Sequence, residues 1–206
     1  MKKLLLVVAL ALGVIPTAYA TEISIEPGVK ISAPDNNFMS IGVGGQIGVF
    51  AQVKDVEKLE AGARFGMVSY DVESPFSNAQ IGDNQQATLD LLLRYKGLPA
   101  YKKIQPYALV GVGFTVSNDL ESDIAGLNLS ANKAARLLGG LGVEWLAVEA
   151  KPVAEQKKPI DSISVRLFAD ASVISSDAKW EINGVGVDVD NDSFDVSTGF
   201  VFAKAF

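Results

Sequence analysis

From Glu22 to the C-terminus the sequence repeats with a period of two, and no other feature limits the fold so tightly. Alternation of apolar and polar residues marks strands whose two faces meet different surroundings. In 22–33, Ile23, Ile25, Val29 and Ile31 stand against Ser24, Glu26, Lys30 and Ser32. In 39–53, Ile41, Val43, Ile47, Val49, Ala51 and Val53 oppose a face of Gly and Gln. The pattern returns in 59–70, 87–95, 106–116, 136–147, 163–173 and 194–206, which makes eight predicted strands. Each is long enough for a strand that crosses a bilayer at a tilt, which takes about 9–11 residues.

The start of the chain reads differently. Lys2 and Lys3 precede an apolar run from Leu4 to Ile15, followed by Pro16 and Ala18-Tyr19-Ala20. A charged segment, a short apolar segment and a small-x-small site compose a cleavable export signal, assigned to residues 1–20. The run is too short for a spanning helix, which needs about 20 residues. Residues 21–206 then form one domain. Without Lys2 and Lys3 the 18 basic residues become 16, against 24 acidic ones, a net charge of −8. That balance argues against a nucleic-acid partner, which is held through its phosphates.

No second apolar helix follows. An exported chain that enters a membrane without one must close its sheet, because hydrocarbon offers no partner to open backbone groups. The expected fold is therefore all-β: an eight-stranded antiparallel up-and-down transmembrane β-barrel with short periplasmic turns and longer extracellular loops. The connections agree. Turns at 54–58, 96–104 and 149–161 hold 8 Lys against 5 acids, while loops at 34–38, 71–86, 117–134 and 174–193 hold 12 acids against 2 Lys.

Asn183-Gly184 between alternating runs is a strong hairpin signal. A two-residue turn there pairs Ile182 with Val185, so paired numbers sum to 367. The same rule brings Val173 to Phe194, Leu167 to Phe200 and Val165 to Phe202 with faces matched throughout. Above this span the polarity switches. Asp177, Lys179, Glu181, Asp188, Asp190 and Asp192 take the outward parity, and Trp180, Ile182, Val185 and Val187 the inward one. This predicts a two-stranded flap in water, with those four apolar residues as a cluster at the barrel mouth.

All four arginines, Arg64, Arg94, Arg136 and Arg166, fall on the polar parity, as do Glu26, Lys30, Glu60, Asp90, Glu144 and Asp170. An arginine on the lipid face near the midplane costs about 2–4 kcal/mol. In a narrow lumen it needs an acidic partner instead. The ten charges are expected to interlock as a lumen plug, with Arg64, Arg94 and Arg166 close to Glu60 and Glu144. Tyr95, Tyr101, Tyr107, Trp145 and Phe206 gather at the turn-side ends and suit an interfacial girdle. Pro27 and Pro106, lacking a donor, belong near the periplasmic rim.

Two stretches resemble a known family. Pro106 to Phe114 (PYALVGVGF) resembles the fifth strand of small outer-membrane β-barrel proteins of the opacity-protein and OmpA-barrel type. Gly139 to Trp145 (GGLGVEW) resembles their sixth, with its inward Glu. Phe206, with Phe202 and Phe200 on its face, resembles the family's C-terminal assembly signal; Lys204 departs from that pattern. The resemblance implies residence in outer-membrane lipid, insertion by the outer-membrane assembly machinery, and no catalytic residues. A monomer is expected.

The residue inventory agrees on chemistry. With no Cys there are no disulfides or thiolate sites, and with no His the usual general base is missing. No cofactor, no metal and no enzymatic activity are expected. Asp188, Asp190 and Asp192 lie along one strand face, without the Gly and closing Glu of a calcium loop. The expected function is a structural or surface-interaction role, as a surface antigen-like or porin-like envelope protein. The alternatives are a narrow module for small apolar molecules at the barrel mouth, and a soluble periplasmic lipocalin-like barrel with its apolar face inside.

Overall fold

The computed structural model describes residues 20–205, apart from 37, 54, 55, 57, 75–78 and 151–162. Residues 1–19 of the expected export signal, Phe206 and most of the third turn therefore lie outside the described residues, and Ala20 begins the first strand. No described helix is long and apolar enough to cross a membrane, which says nothing of strands.

Eight strands close a barrel. They are β1 (Ala20–Pro34), β2 (Gly42–Val53), β3 (Leu59–Glu73), β4 (Gln80–Tyr95), β5 (Ile104–Ser122), β7 (Ala135–Ala150), β8 (Ile163–Ser175) and β11 (Ser193–Ala205). Neighbours in the chain are neighbours in the sheet, and β1 pairs antiparallel with β11 to complete the ring. Closure leaves none of the eight with an open edge. The seam pairs Glu22 with Ala205 through Ile25 with Phe202, then resumes at Gly28 with Gly199. The gap holds Pro27, which has no N–H for the ladder.

Burial settles which face is which. Val29, Leu91, Val112, Leu141, Val173 and Phe200 are exposed on the outer wall. The four arginines are enclosed, with Arg94 at 0% exposure. A soluble lipocalin-like barrel requires the opposite arrangement, and that alternative fails here.

The last hairpin follows the rule of paired numbers. Lys204 pairs with Ile163, Phe200 with Leu167 and Phe194 with Val173. The same sum continues in the flap strands β9 (Asp177–Ile182) and β10 (Val185–Asp190), where Val187 pairs with Trp180. Asn183 and Gly184 both take positive φ, at 50° and 81°. That is the turn whose twist matches the flanking strands, and Asn and Gly tolerate it best.

Three features depart from the sequence reading. First, the flap is not two-stranded: β6 (Leu129–Ala131) joins it in a sheet of order β10-β9-β6. Second, much of the loops expected at 71–86 and 117–134 is strand, because β3, β4 and β5 continue beyond the apolar belt. There the outer face turns polar, as in Asp83 and Gln85, while Asn84 and Gln86 point inward and are buried; with polar residues on both faces of β4, apolar–polar alternation no longer marks the strand. Third, the β4–β5 register shifts between Ala87↔Ser117 and Thr88↔Thr115, a bulge at Val116. The extra residue reverses the parity of β5 above it and turns Leu120 inward, where it is buried.

Candidate functional site

The lumen is filled in layers. Nearest the turns, the Arg94 guanidinium donates from Nη2 to Glu26 Oε2 at 2.6 Å and from Nη1 to Glu26 Oε1 at 2.7 Å. Nη1 also reaches Glu144 at 3.0 Å and Glu60 at 3.2 Å. The planar cation lies between two rings, 3.9 Å from the Phe50 centroid and 4.5 Å from that of Tyr107. Lys96 Nζ bridges Glu60 at 2.6 Å and Glu144 at 2.7 Å. Arg166 contacts Glu144 at 3.1 Å and Glu22 at 2.8 Å.

One step further in, Arg64 holds Asp170 with two contacts of 2.7 and 3.4 Å, and the Tyr107 hydroxyl donates to Asp170 Oδ2 at 3.0 Å. Toward the loops, Lys30 pairs with Asp195. Arg136 lies 3.8 Å from both Asp90 and Asp195. Above these charges an apolar stopper closes the lumen. Met39, Val68, Tyr70, Val72, Leu120 and Trp180 form one buried cluster there.

Charge nearly balances in both layers. Four cations near the turns face Glu22, Glu26, Glu60, Glu144 and Asp170, and Lys30 with Arg136 faces Asp90 with Asp195. Near-neutrality is what burial demands, because an ion left without its partner in such a space is costly.

The structure places all ten charges expected in the lumen on its inner side. Arg64 differs in its partner: it meets Asp170, not Glu60 or Glu144. Four contributors escaped the sequence reading. Glu22 and Asp195 sit on the lumen parity and were findable by it. Lys96 lies one residue past the end of β4 and reaches back. Tyr107, expected in the girdle, is instead 0% exposed, on the inward parity of β5. Tyr95, Tyr101 and Trp145 do face outward.

The four residues expected at the mouth do not gather. Trp180 is buried in the stopper and Ile182 is half-buried, whereas Val185 and Val187 stand exposed on β10. Their parity is as expected, but among the described residues β10 is the free edge of its sheet, with no further strand beside it. Phe200 and Phe202 face outward as a stacked pair, centroids 6.4 Å apart. Among the described residues no group of acidic side chains is arranged to hold a metal ion.

Gly142 makes room for this packing. A Cβ added there would lie 2.3 Å from the Tyr107 ring. Gly142→Val is expected to push Tyr107 off Asp170 and destabilise the barrel by about 1–3 kcal/mol, the usual cost of overpacking. The urea midpoint of the folded protein in detergent measures it; an unchanged midpoint would show that the ring has room to move.

No family model matches the chain, and no curated protein matches it. Solved structures do. The outer membrane protein OprG from Pseudomonas aeruginosa is similar over 90% of this chain and 96% of its own, at 18% identity and a TM-score of 0.61. Outer membrane protein W from E. coli is similar over 91% and 99%, at 16% identity and a TM-score of 0.50. Neisserial surface protein A follows over 90% and 96%, at 12% identity and a TM-score of 0.50. The shared feature is the fold: a small eight-stranded barrel of the kind solved for outer-membrane proteins.

Proposed function

We propose that this protein resides in a bacterial outer membrane as a sealed barrel and acts through its loop-side surface, in a structural or surface-interaction role. The observation that carries this reading is the pairing of an apolar outer wall with a lumen closed by ions and then by the Trp180 stopper. Export through residues 1–20 and insertion by the outer-membrane assembly machinery, with Phe200, Phe202 and Phe206 as its signal, complete the proposal. The acidic flap faces the medium, and no catalytic step is assigned.

The folded protein in a planar lipid bilayer is expected to give no ion-conducting steps. Steady conductance would count against a sealed lumen and for the second reading, a narrow passage for small apolar molecules. That reading draws support from the apolar character of the mouth, where Met39, Tyr70, Leu120 and Trp180 meet. Membrane fractionation tests both readings at once, since recovery in the soluble periplasm would remove each of them.

A further inference from the structure

The turn-side end of the lumen does not close flush. Below the Arg94 layer a cavity of about 520 Å³ opens at the rim, within the size range of small-ligand sites. Lys58, Lys96, Lys102, Lys103 and Arg166 line it, against the carboxylates of Glu22, Glu60 and Glu144. The lining is therefore positive by two charges.

The floor and the rim differ. On the floor every carboxylate is engaged: Glu144 by Arg94, Lys96 and Arg166, Glu60 by Arg94 and Lys96, and Glu22 by Arg166. Lys96 and Arg166 are thus pinned in place. At the rim, no carboxylate of the described residues lies within ion-pair distance of Lys58, Lys102 or Lys103. Lys102 and Lys103 form the two-residue tip of a hairpin closed by Tyr101 and Ile104. Lys102 holds φ at 55°, in the left-handed region where Gly or Asn is the easier choice. Its ammonium lies 5.2 Å from the Tyr101 ring, a contact that leaves its outward protons available.

We infer that this vestibule binds a small multivalent anion carrying phosphate groups, held by the rim lysines above the saturated floor. Ammonium groups suit phosphate oxygens as mobile point charges, and a walled cavity focuses their field. A monovalent anion would leave half of the excess charge unmatched. Two sources share this chemistry, a free di- or polyphosphate and the headgroup of an anionic lipid in the adjoining leaflet.

The test is isothermal titration of the purified folded protein, in non-ionic detergent near physiological salt, with inorganic pyrophosphate. One saturable site is expected. Lys102→Glu with Lys103→Glu should weaken it at least about tenfold, since two attractive charges become repulsive. Lys102→Arg with Lys103→Arg should retain it, and Lys179→Glu on the flap should leave it unchanged. If the double Glu variant does not fold, as judged by heat-dependent mobility, Lys58→Glu replaces it and should also weaken binding. Repeating the titration in nanodiscs separates the sources. Competition by phosphatidylglycerol discs but not phosphatidylcholine discs assigns the site to a lipid headgroup, and its absence to a free anion. Failure of pyrophosphate to saturate, or equal binding by the folded Glu variants, overturns the inference. Neither result bears on the sealed lumen, which conductance reads independently.

Discussion

Replacing Arg94 by Met is expected to lower the unfolding free energy of the barrel by about 3–5 kcal/mol, the largest effect of any single change in the lumen. The reason is not that ion pairs are strong. Desolvation of buried ions offsets most of their mutual attraction, and apolar replacement of a whole network is often neutral. Arg94→Met removes only the cation. It leaves Glu26 with no cationic partner among the described residues, and leaves Glu60 and Glu144 to share Lys96 while Arg166 still holds Glu144. It also takes the guanidinium from between Phe50 and Tyr107, although Met refills part of that space. A second variant separates charge from packing. Arg94→Met combined with Glu26→Gln removes the stranded carboxylate while keeping its shape, and should recover at least half of the loss. Urea midpoints in one detergent, with the heat-dependent gel shift as the test of folding, read both. Equal losses in the single and double variants would mean that Arg94 matters as a filler and that the charges are incidental.

What the sequence made legible was parity, and what it hid was whatever parity does not encode. An apolar outer wall and an ionic lumen impose opposite demands on adjacent residues, so Leu91, Val112 and Leu141 separate cleanly from Arg94, Asp90 and Arg136. The Asn183-Gly184 turn then fixed the register of the final hairpin from Ile182↔Val185 down to Lys204↔Ile163. Beyond the belt the outer face turns polar while the inner face packs against the stopper, so the apolar-out, polar-in pattern lapses and the ends of β3, β4 and β5 read as loops. A single bulged residue, Val116, moved Leu120 to the inner face, and nothing in the local composition announces it. Partner choice was hidden as well. Arg64 and Glu60 stand four residues apart on one strand, yet the barrel's curvature delivers Asp170 of β8 to Arg64. Lys96 went unread because it lies beyond its strand, and only a long side chain folding back brings it into the lumen.

Placing an arginine at Leu141 should be nearly as damaging as removing the one at position 94, for the opposite reason. Leu141 stands midway along β7, pairs with Ala108 and Ala171, and is 65% exposed on the outer wall. In water a Leu→Arg change at so open a position would be nearly neutral, as surface substitutions usually are. In hydrocarbon the same change costs about 2–4 kcal/mol near the midplane, and less toward either interface. Leu141→Arg is therefore expected to lower the unfolding free energy in lipid bilayers by that amount. Val148→Arg on the same face, seven residues nearer the turns, should cost much less. This gradient along one strand is the informative result, because a packing defect has no reason to follow depth. A flat response, or a Leu141→Arg protein that folds as well in bilayers as the unaltered chain, would remove lipid from the outer wall. With it would go the argument that every arginine had to be enclosed.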